Sequence, residues 1–325
     1  MQVSVIIPTY KRVNDLSECL DSIFVQTKMP IEIIVIDNAN DFETERYMEC
    51  KANICGEAGI NLKYIKNGDL NSATIARNIG AKKAIGDILL LLDDDVILDE
   101  NFVEEILYVY KKHPNAIGVQ GYITNRSLYN INSIRKLFFL THSKKDTNKL
   151  LPSIQSIYAD PLTKIINCEW LMSGCTCYKK DIVSEIKFDE NMYKYCSGDD
   201  VDFSYRISQK YPRTLYQTPF AKLIHKVSDS GRAPKKEAIF TSHIYHTYLF
   251  YKNVDQILKN KLIFIWSKIG HLIIKCGEFI LKPSMKNFWT IIYIIYAYAY
   301  CLKHIKSLKK GDLRSYTKLL LKGYN

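Results

Sequence analysis

The chain has 325 residues, of which 47% are hydrophobic and 24% charged, and carries a formal net charge of +11. That balance excludes a disordered or fibrous protein and leaves room for one large α/β domain with an appendage, or for two domains. Met1–Pro8 runs directly into a strand pattern without a basic segment or small-residue cleavage site, so no secretory leader is expected. Nine cysteines show no paired zinc spacing and are expected as reduced, mostly buried thiols of a cytoplasmic protein.

The β-branched run Val3–Ile7, closed by Pro8, predicts a first strand, and Ile31–Ile36, closed by Asp37, a second. Between them Leu16, Cys19, Leu20, Ile23 and Phe24 recur at helical spacing, with Asn14 or Asp15 placed to cap that helix. A third strand is expected at Leu62–Ile65 and a helix at Ser72–Ile85, where Ala76, Gly80 and Ala84 line one side. Ile88–Leu92 follows as five consecutive aliphatic residues, the pattern of a strand buried on both faces. A helix through Phe102–Tyr110 and a strand Ile117–Gln120 continue the alternation, which predicts a parallel, Rossmann-like sheet with right-handed crossovers. Residues 121–166 read as a long loop with short helices, and Cys168–Tyr178 as a return to the sheet. Phe203, Arg206, Ile207 and Lys210 suit a helix that has Asp199 and Asp200 at its N-terminal end, where negative charge is favoured. Asp202 reads as further charge at that end, and Leu223–His225 as a last strand.

The composition changes near Ala233–Lys236. Residues 231–325 hold 17 Lys and Arg against 4 Asp and Glu, so a basic tail follows a nearly neutral body. Leu262–Leu281 is apolar except for a stripe of Lys268, His271, Lys275 and Glu278, and Asn287–Leu302 carries no charge between flanking lysines. As a helix that uncharged run reaches about 24 Å, short of the ~30 Å hydrocarbon core. The expectation is therefore a pair of interfacial amphipathic helices on a membrane surface, with a helical hairpin packed on the body or on a second subunit as the alternative.

Asp93-Asp94-Asp95 stands at the end of the Ile88–Leu92 run, where open α/β sheets bind ligands. Three carboxylates there need a compensating cation, and short acidic side chains on an extended segment suit a hard divalent ion shared with phosphate oxygens. No Gly-x-Gly-x-x-Gly follows the first strand, which argues against a dinucleotide cofactor. A nucleotidyltransferase usually carries a glycine- and lysine-rich loop there, unlike Pro8-Thr9-Tyr10-Lys11-Arg12, and lysines flanking Ile/Tyr runs suit lipid better than nucleic acid.

Val5–Arg12, Ile33–Asn38, Ala76–Gly80, Asp93–Asp95 and Gly198-Asp199-Asp200 occur in that order. Together they resemble a family 2 glycosyltransferase with the GT-A nucleotide-sugar fold, over roughly residues 1–230. The resemblance implies an inverting transferase using Mn2+ or Mg2+, a UDP-, GDP- or dTDP-sugar donor and a glycan or lipid-linked acceptor. The enzyme is expected to be peripheral on the cytoplasmic membrane face, with residues 231–325 as the membrane-associating part. By the same resemblance Pro8, Thr9, Tyr10 and Arg12 hold the nucleobase and diphosphate, and Asp37 accepts from the base or ribose unless it is a turn aspartate. Arg77 and Asn78 lie near the nucleotide, Asp93 meets the ribose, Asp95 the metal, and Asp94 contributes to either. Gly198-Asp199-Asp200 stands for a Gly-Glu-Asp element, with Asp199 one methylene shorter than its counterpart and Asp200 as catalytic base. His225 falls where some relatives place a metal ligand or phosphate contact.

Overall fold

The computed structural model describes residues 1–57, 59–68, 71–126, 133–141, 148–194, 197–228 and 233–322. The strands are β1 (Val3–Thr9), β2 (Glu32–Asp37), β3 (Asn61–Lys66), β4 (Ile88–Leu92), β5 (Val96–Leu98), β6 (Gly118–Ile123), β7 (Lys149–Leu150), β8 (Ser156–Ile157), β9 (Ile166–Cys168), β10 (Cys175–Lys179) and β11 (Leu215–His225). The helices of the body are α1 (Val13–Phe24), α2 (Phe42–Glu57), α3 (Ala73–Lys83), α4 (Phe102–Lys112), α5 (Ser133–Leu137), α6 (Lys180–Ile186) and α7 (Asp199–Lys210). The C-terminal part adds α8 (Lys235–Asn253), α9 (Leu258–Leu281), α10 (Met285–Lys303), α11 (Ile305–Lys309) and α12 (Arg314–Lys322).

Among the described residues, nine strands form one sheet in the order β3-β2-β1-β4-β10-β6-β11-β5, with β9 also on β11. β3, β2, β1 and β4 are parallel, joined by helical crossovers as the alternation predicts. β10 then runs antiparallel between β4 and β6. An antiparallel neighbour begins where its partners end, so the chain entering β10 arrives beside the end of β4. Every residue of β4 is buried, as its unbroken aliphatic run requires.

The sheet is covered on both faces. Leu16, Cys19, Leu20 and Ile23 of α1 pack with Phe102, Val103 and Ile106 of α4 on one side, while Ala76 of α3 packs with Phe203 and Ile207 of α7 on the other. α3 lies so close to β1 that a Cβ on Gly80 would stand 2.4 Å from Ile6 Cγ2. The expected cap of α1 is not made: the helix starts at Val13 after Arg12, and no side chain caps it. Asp15 in its first turn binds Lys226 at 2.7 Å instead.

A third core joins the C-terminal helices to the body. Trp170, Met192 and Val201 pack with Ile244, Tyr245 and Leu249 of α8, Ala297 and Cys301 of α10, and Tyr316 and Leu320 of α12. The boundary expected between residues 230 and 231 falls outside the described residues. No described helix is long and apolar enough to cross a membrane.

The polar stripe of α9 faces inward, against the arrangement of an ordinary surface helix. Lys268, His271 and Lys275 line a cavity next to α8. Leu262, Ile265, Ile269 and Ile273 on the opposite side are 45–57% exposed. On α10, Tyr293 and Tyr300 pack on the third core, whereas Tyr296 is 59% exposed.

Candidate active site

The ends of β1, β4 and β11, the segment before β10 and the start of α7 converge on a cleft of about 410 Å³. Of the residues predicted from sequence, Pro8, Thr9, Tyr10, Arg12, Arg77, Asp93, Asp94, Asp95, Asp199, Asp200 and His225 line it.

The three aspartates after β4 have three different surroundings. Asp93 is 32% exposed at its side chain and accepts from Arg77 at 3.1 Å. Its position depends on Gly174, whose φ of +88° favours glycine and whose added Cβ would lie 2.4 Å from Asp93 Oδ2. Asp94 is buried and accepts from Thr9 Oγ1 at 2.8 Å and Arg12 Nη1 at 3.0 Å, so it fastens the β1 loop to the end of β4. Burial pushes its carboxyl up to about 7, against the pull of Arg12 and Thr9. Asp95 pairs with His225 Nε2 at 3.0 Å through one oxygen and accepts from the Ser228 amide at 3.0 Å through the other. Burial raises the Asp95 carboxyl, but His225, the Ser228 amide and Arg12 outweigh it and hold it below the usual range.

Asp93, Asp95 and His225 can each offer one ligand atom, all within 4.8 Å of one another. Two carboxylates and one imidazole fit a divalent first-row ion, and Asp94 lies outside this group because Thr9 and Arg12 occupy its oxygens.

Arg77 is 4% exposed at its side chain and bridges Asp93 to Asp199, which it meets at 2.5 Å. The Arg77 guanidinium lies 5.5 Å from the centroid of the Phe188 ring. Burial raises the Asp199 carboxyl, Arg77 opposes that, and the charge of Asp93 adds to it. Gly198, with a φ of +96°, turns the chain into α7. Asp200 then reaches the cleft, accepting from the Val201 amide at 2.7 Å and the Ser173 amide at 3.4 Å. Burial and the neighbouring Asp199 charge push its carboxyl up to about 7. Asp202 is fully buried and holds Arg206 and Lys252 at 2.8 and 2.9 Å, so it ties α7 to α8 and does more than add helix-terminal charge.

Two predicted residues lie away from the cleft. Asp37 is fully buried, and its oxygens accept from the amides of Ala39 and Asp41 at 2.8 Å and from Tyr64 Oη at 2.7 Å. It is the turn aspartate, and the next residue, Asn38, lines the cleft instead. Asn78 exchanges hydrogen bonds of 2.9 Å with the backbone of Phe188 and braces that loop. Arg77, its neighbour on α3, reaches the cleft instead.

Sequence reasoning missed the far wall, which includes Ser156, Tyr158, Met172, Ser173, Lys194 and His246. Tyr158 stacks edge-on against the buried Trp170 at 4.5 Å and carries the Arg126 guanidinium 3.1 Å above its ring centroid. Most of these residues come from short stretches in which no period marks an inward face, and His246 comes from α8. The Ser173-Gly174 pair was the one local signal, since a glycine before a strand marks a turn.

Residues 4–172 match the sequence profile described as Glycosyl transferase family 2. This chain belongs to glycosyltransferase family 2. It is 30% identical to the uncharacterized glycosyltransferase YwdF of Bacillus subtilis over 237 residues, covering 71% of this chain and 76% of YwdF. It is 27% identical to the minor teichoic acid biosynthesis protein GgaB of the same organism over 271 residues, covering 79% of this chain but only 27% of GgaB. A mannosyltransferase of Pyrobaculum calidifontis, solved with GDP-Man and Mn2+, shares the fold with a TM-score of 0.57 at 16% identity, over 93% of this chain and 87% of that one. The family 2 transferase is thus an enzyme with a GT-A-like α/β fold.

Proposed function

We propose that this enzyme moves a sugar from a nucleotide-diphosphate donor to an acceptor hydroxyl, with inversion at the anomeric carbon and with Mn2+ or Mg2+ as cofactor. The observation that carries the reading is that the Asp93–Asp95–His225 group and Asp200 line one cleft. The solved GDP-Man and Mn2+ complex of the Pyrobaculum enzyme supports both the donor class and the ion.

Asp93, Asp95 and His225 would hold the ion, which when bound neutralises the diphosphate leaving group. The Pro8–Arg12 loop and Asn38 would receive the nucleoside side of the donor. Asp200 would accept the proton of the acceptor hydroxyl as its oxygen bonds to the anomeric carbon and the bond to the diphosphate breaks. A carboxyl raised to about 7 suits this role, because a base works best with a pKa near the working pH. Arg77 would keep Asp93 and Asp199 in place without meeting the reacting atoms.

The acceptor is proposed to be a lipid-linked or cell-surface glycan, handled at the cytoplasmic face of a membrane. Two features support this: the exposed aliphatic face of α9 with Trp289 of α10 at 45% exposure, and GgaB's assignment to teichoic acid biosynthesis. The decisive experiment is a panel of UDP-, GDP- and dTDP-sugars assayed for hydrolysis with and without manganese. One donor consumed only with metal is expected. Hydrolysis of none, or equal hydrolysis in chelator, defeats the reading.

A further inference from the structure

A second cavity of about 460 Å³ lies between α5, α8, α9 and α10, and His246 lines both it and the active-site cleft. Its charged lining is entirely basic among the described residues. Lys235, His243 and His246 come from α8, Lys268, His271 and Lys275 from α9, and Arg135 from α5. Glu278, whose charge acts on His271, pairs with Lys275 at 2.7 Å.

Two of these groups lack the partner that their position calls for. His243 is 7% exposed and faces His271 and Tyr298 edge-on at 5.2 and 5.0 Å, and its buried Nδ1 has no hydrogen-bond partner among the described residues. Lys268 forms no ion pair among the described residues; its ammonium sits 4.7 Å from the Phe264 ring centroid. Unpartnered polar groups in a recess are costly, and an anion would satisfy them. Burial and the charge of Lys268 drive His271 down to about 4 and His246 to about 3, while burial lowers Lys268 to about 8.

We propose that this cavity binds a phosphate or diphosphate group carried by the acceptor, holding its hydroxyl toward Asp200. The assignment rests on the transferase reading for the word acceptor, but the anion site can be tested alone. His246 lines both the cavity and the cleft, and the outer side of the same α9 is apolar and exposed, so the proposed ligand is one that carries its phosphate between a sugar and an apolar chain.

The test is calorimetry of inorganic pyrophosphate with the full chain in chelator, in buffers of different ionisation enthalpy. An anion raises imidazole pKa values that the empty cavity holds low, so binding should take up protons and tighten as pH falls. Lys268→Met and Lys268→Met/His271→Gln should weaken binding at least ~10-fold, since charge-assisted contacts to the anion are lost. Asp95→Asn should bind pyrophosphate like wild type. Absence of wild-type binding, binding without proton uptake, or loss in Asp95→Asn but not in the Lys268 variants overturns the proposal. Geranyl diphosphate binding more tightly than pyrophosphate supports a lipid carrier, and equal binding a soluble phosphate ester. If pyrophosphate binds as described but no nucleotide sugar is consumed, the transferase reading fails and the anion site stands.

Discussion

Arg77 and Asp199, 122 residues apart in the chain, meet at 2.5 Å, with the two side chains 4% and 9% exposed. One guanidinium thereby fixes the start of α7 to α3 and, through Asp93, to the end of β4. Removing one member of such a pair strands the other, which costs about 3–5 kcal/mol. Arg77→Met should lower stability by that order, and adding Asp199→Asn should recover much of it. Chemical denaturation of both variants checks this; an additive double mutant would show that the pair is not coupled.

Asp95→Asn keeps the shape of the side chain and removes its charge. Manganese-supported binding of nucleoside diphosphate should fall at least ~10-fold, the scale of losing a charged ligand. Titration calorimetry in manganese is the measurement, and wild-type affinity in the variant would exclude Asp95 as a ligand.

Asp200→Asn should leave donor affinity nearly unchanged and lower turnover by ~10²–10⁴-fold. The wild-type kcat/KM should rise with pH through an acid limb near 7, because Asp200 must be deprotonated to accept a proton and its carboxyl is raised to about 7. Full activity in this variant, with loss in Asp199→Asn, would move the base to the neighbouring acid.

Gly174→Ala adds a Cβ 2.4 Å from Asp93 Oδ2 at a backbone φ of +88°. Strain of about 1–3 kcal/mol is expected, together with weaker metal binding as Asp93 is displaced. A thermal melt paired with a manganese titration separates the two effects. Unchanged metal affinity would show that Asp93 need not stand where Gly174 lets it.

Full-length protein should sediment with vesicles containing anionic lipid and be partly released by salt, since each lysine near such a surface contributes about 1 kcal/mol. Ile265→Glu/Ile269→Glu places charge on side chains that are 55% and 45% exposed, so folding should survive while vesicle binding is lost. A stable dimer in wild type that these substitutions split would make the face an oligomer contact.

Where one period or one unbroken run dominates, sequence and structure agree closely: β4 occupies Ile88–Leu92 as expected, and α4 starts at Phe102. α8 escaped notice because it is buried on several sides, with Ile244, Thr247, Leu249 and Phe250 pointing in four directions and leaving no single stripe to read. The acids were legible because unpaired charge beside an apolar run has few structural uses. Their division of labour was not: whether Asp94 faces an ion or Arg12 depends on backbone direction after β4, which composition does not encode. Asp37 and Asn78 were placed by motif, and the structure assigns both to loop bracing.

The reversed direction of β10 has a practical corollary for redesign. The Pro8–Arg12 loop and the acids after β4 hang from strand ends, whereas Met172 and Ser173 precede a strand start. Two walls of the cleft are thereby carried on separate stretches of chain. On the proposed reading, exchanging Met172 and Ser173 between relatives, with Gly174 and the buried Trp170 and Leu171 retained, would be a route to altering what receives the sugar while leaving the handling of the nucleotide alone.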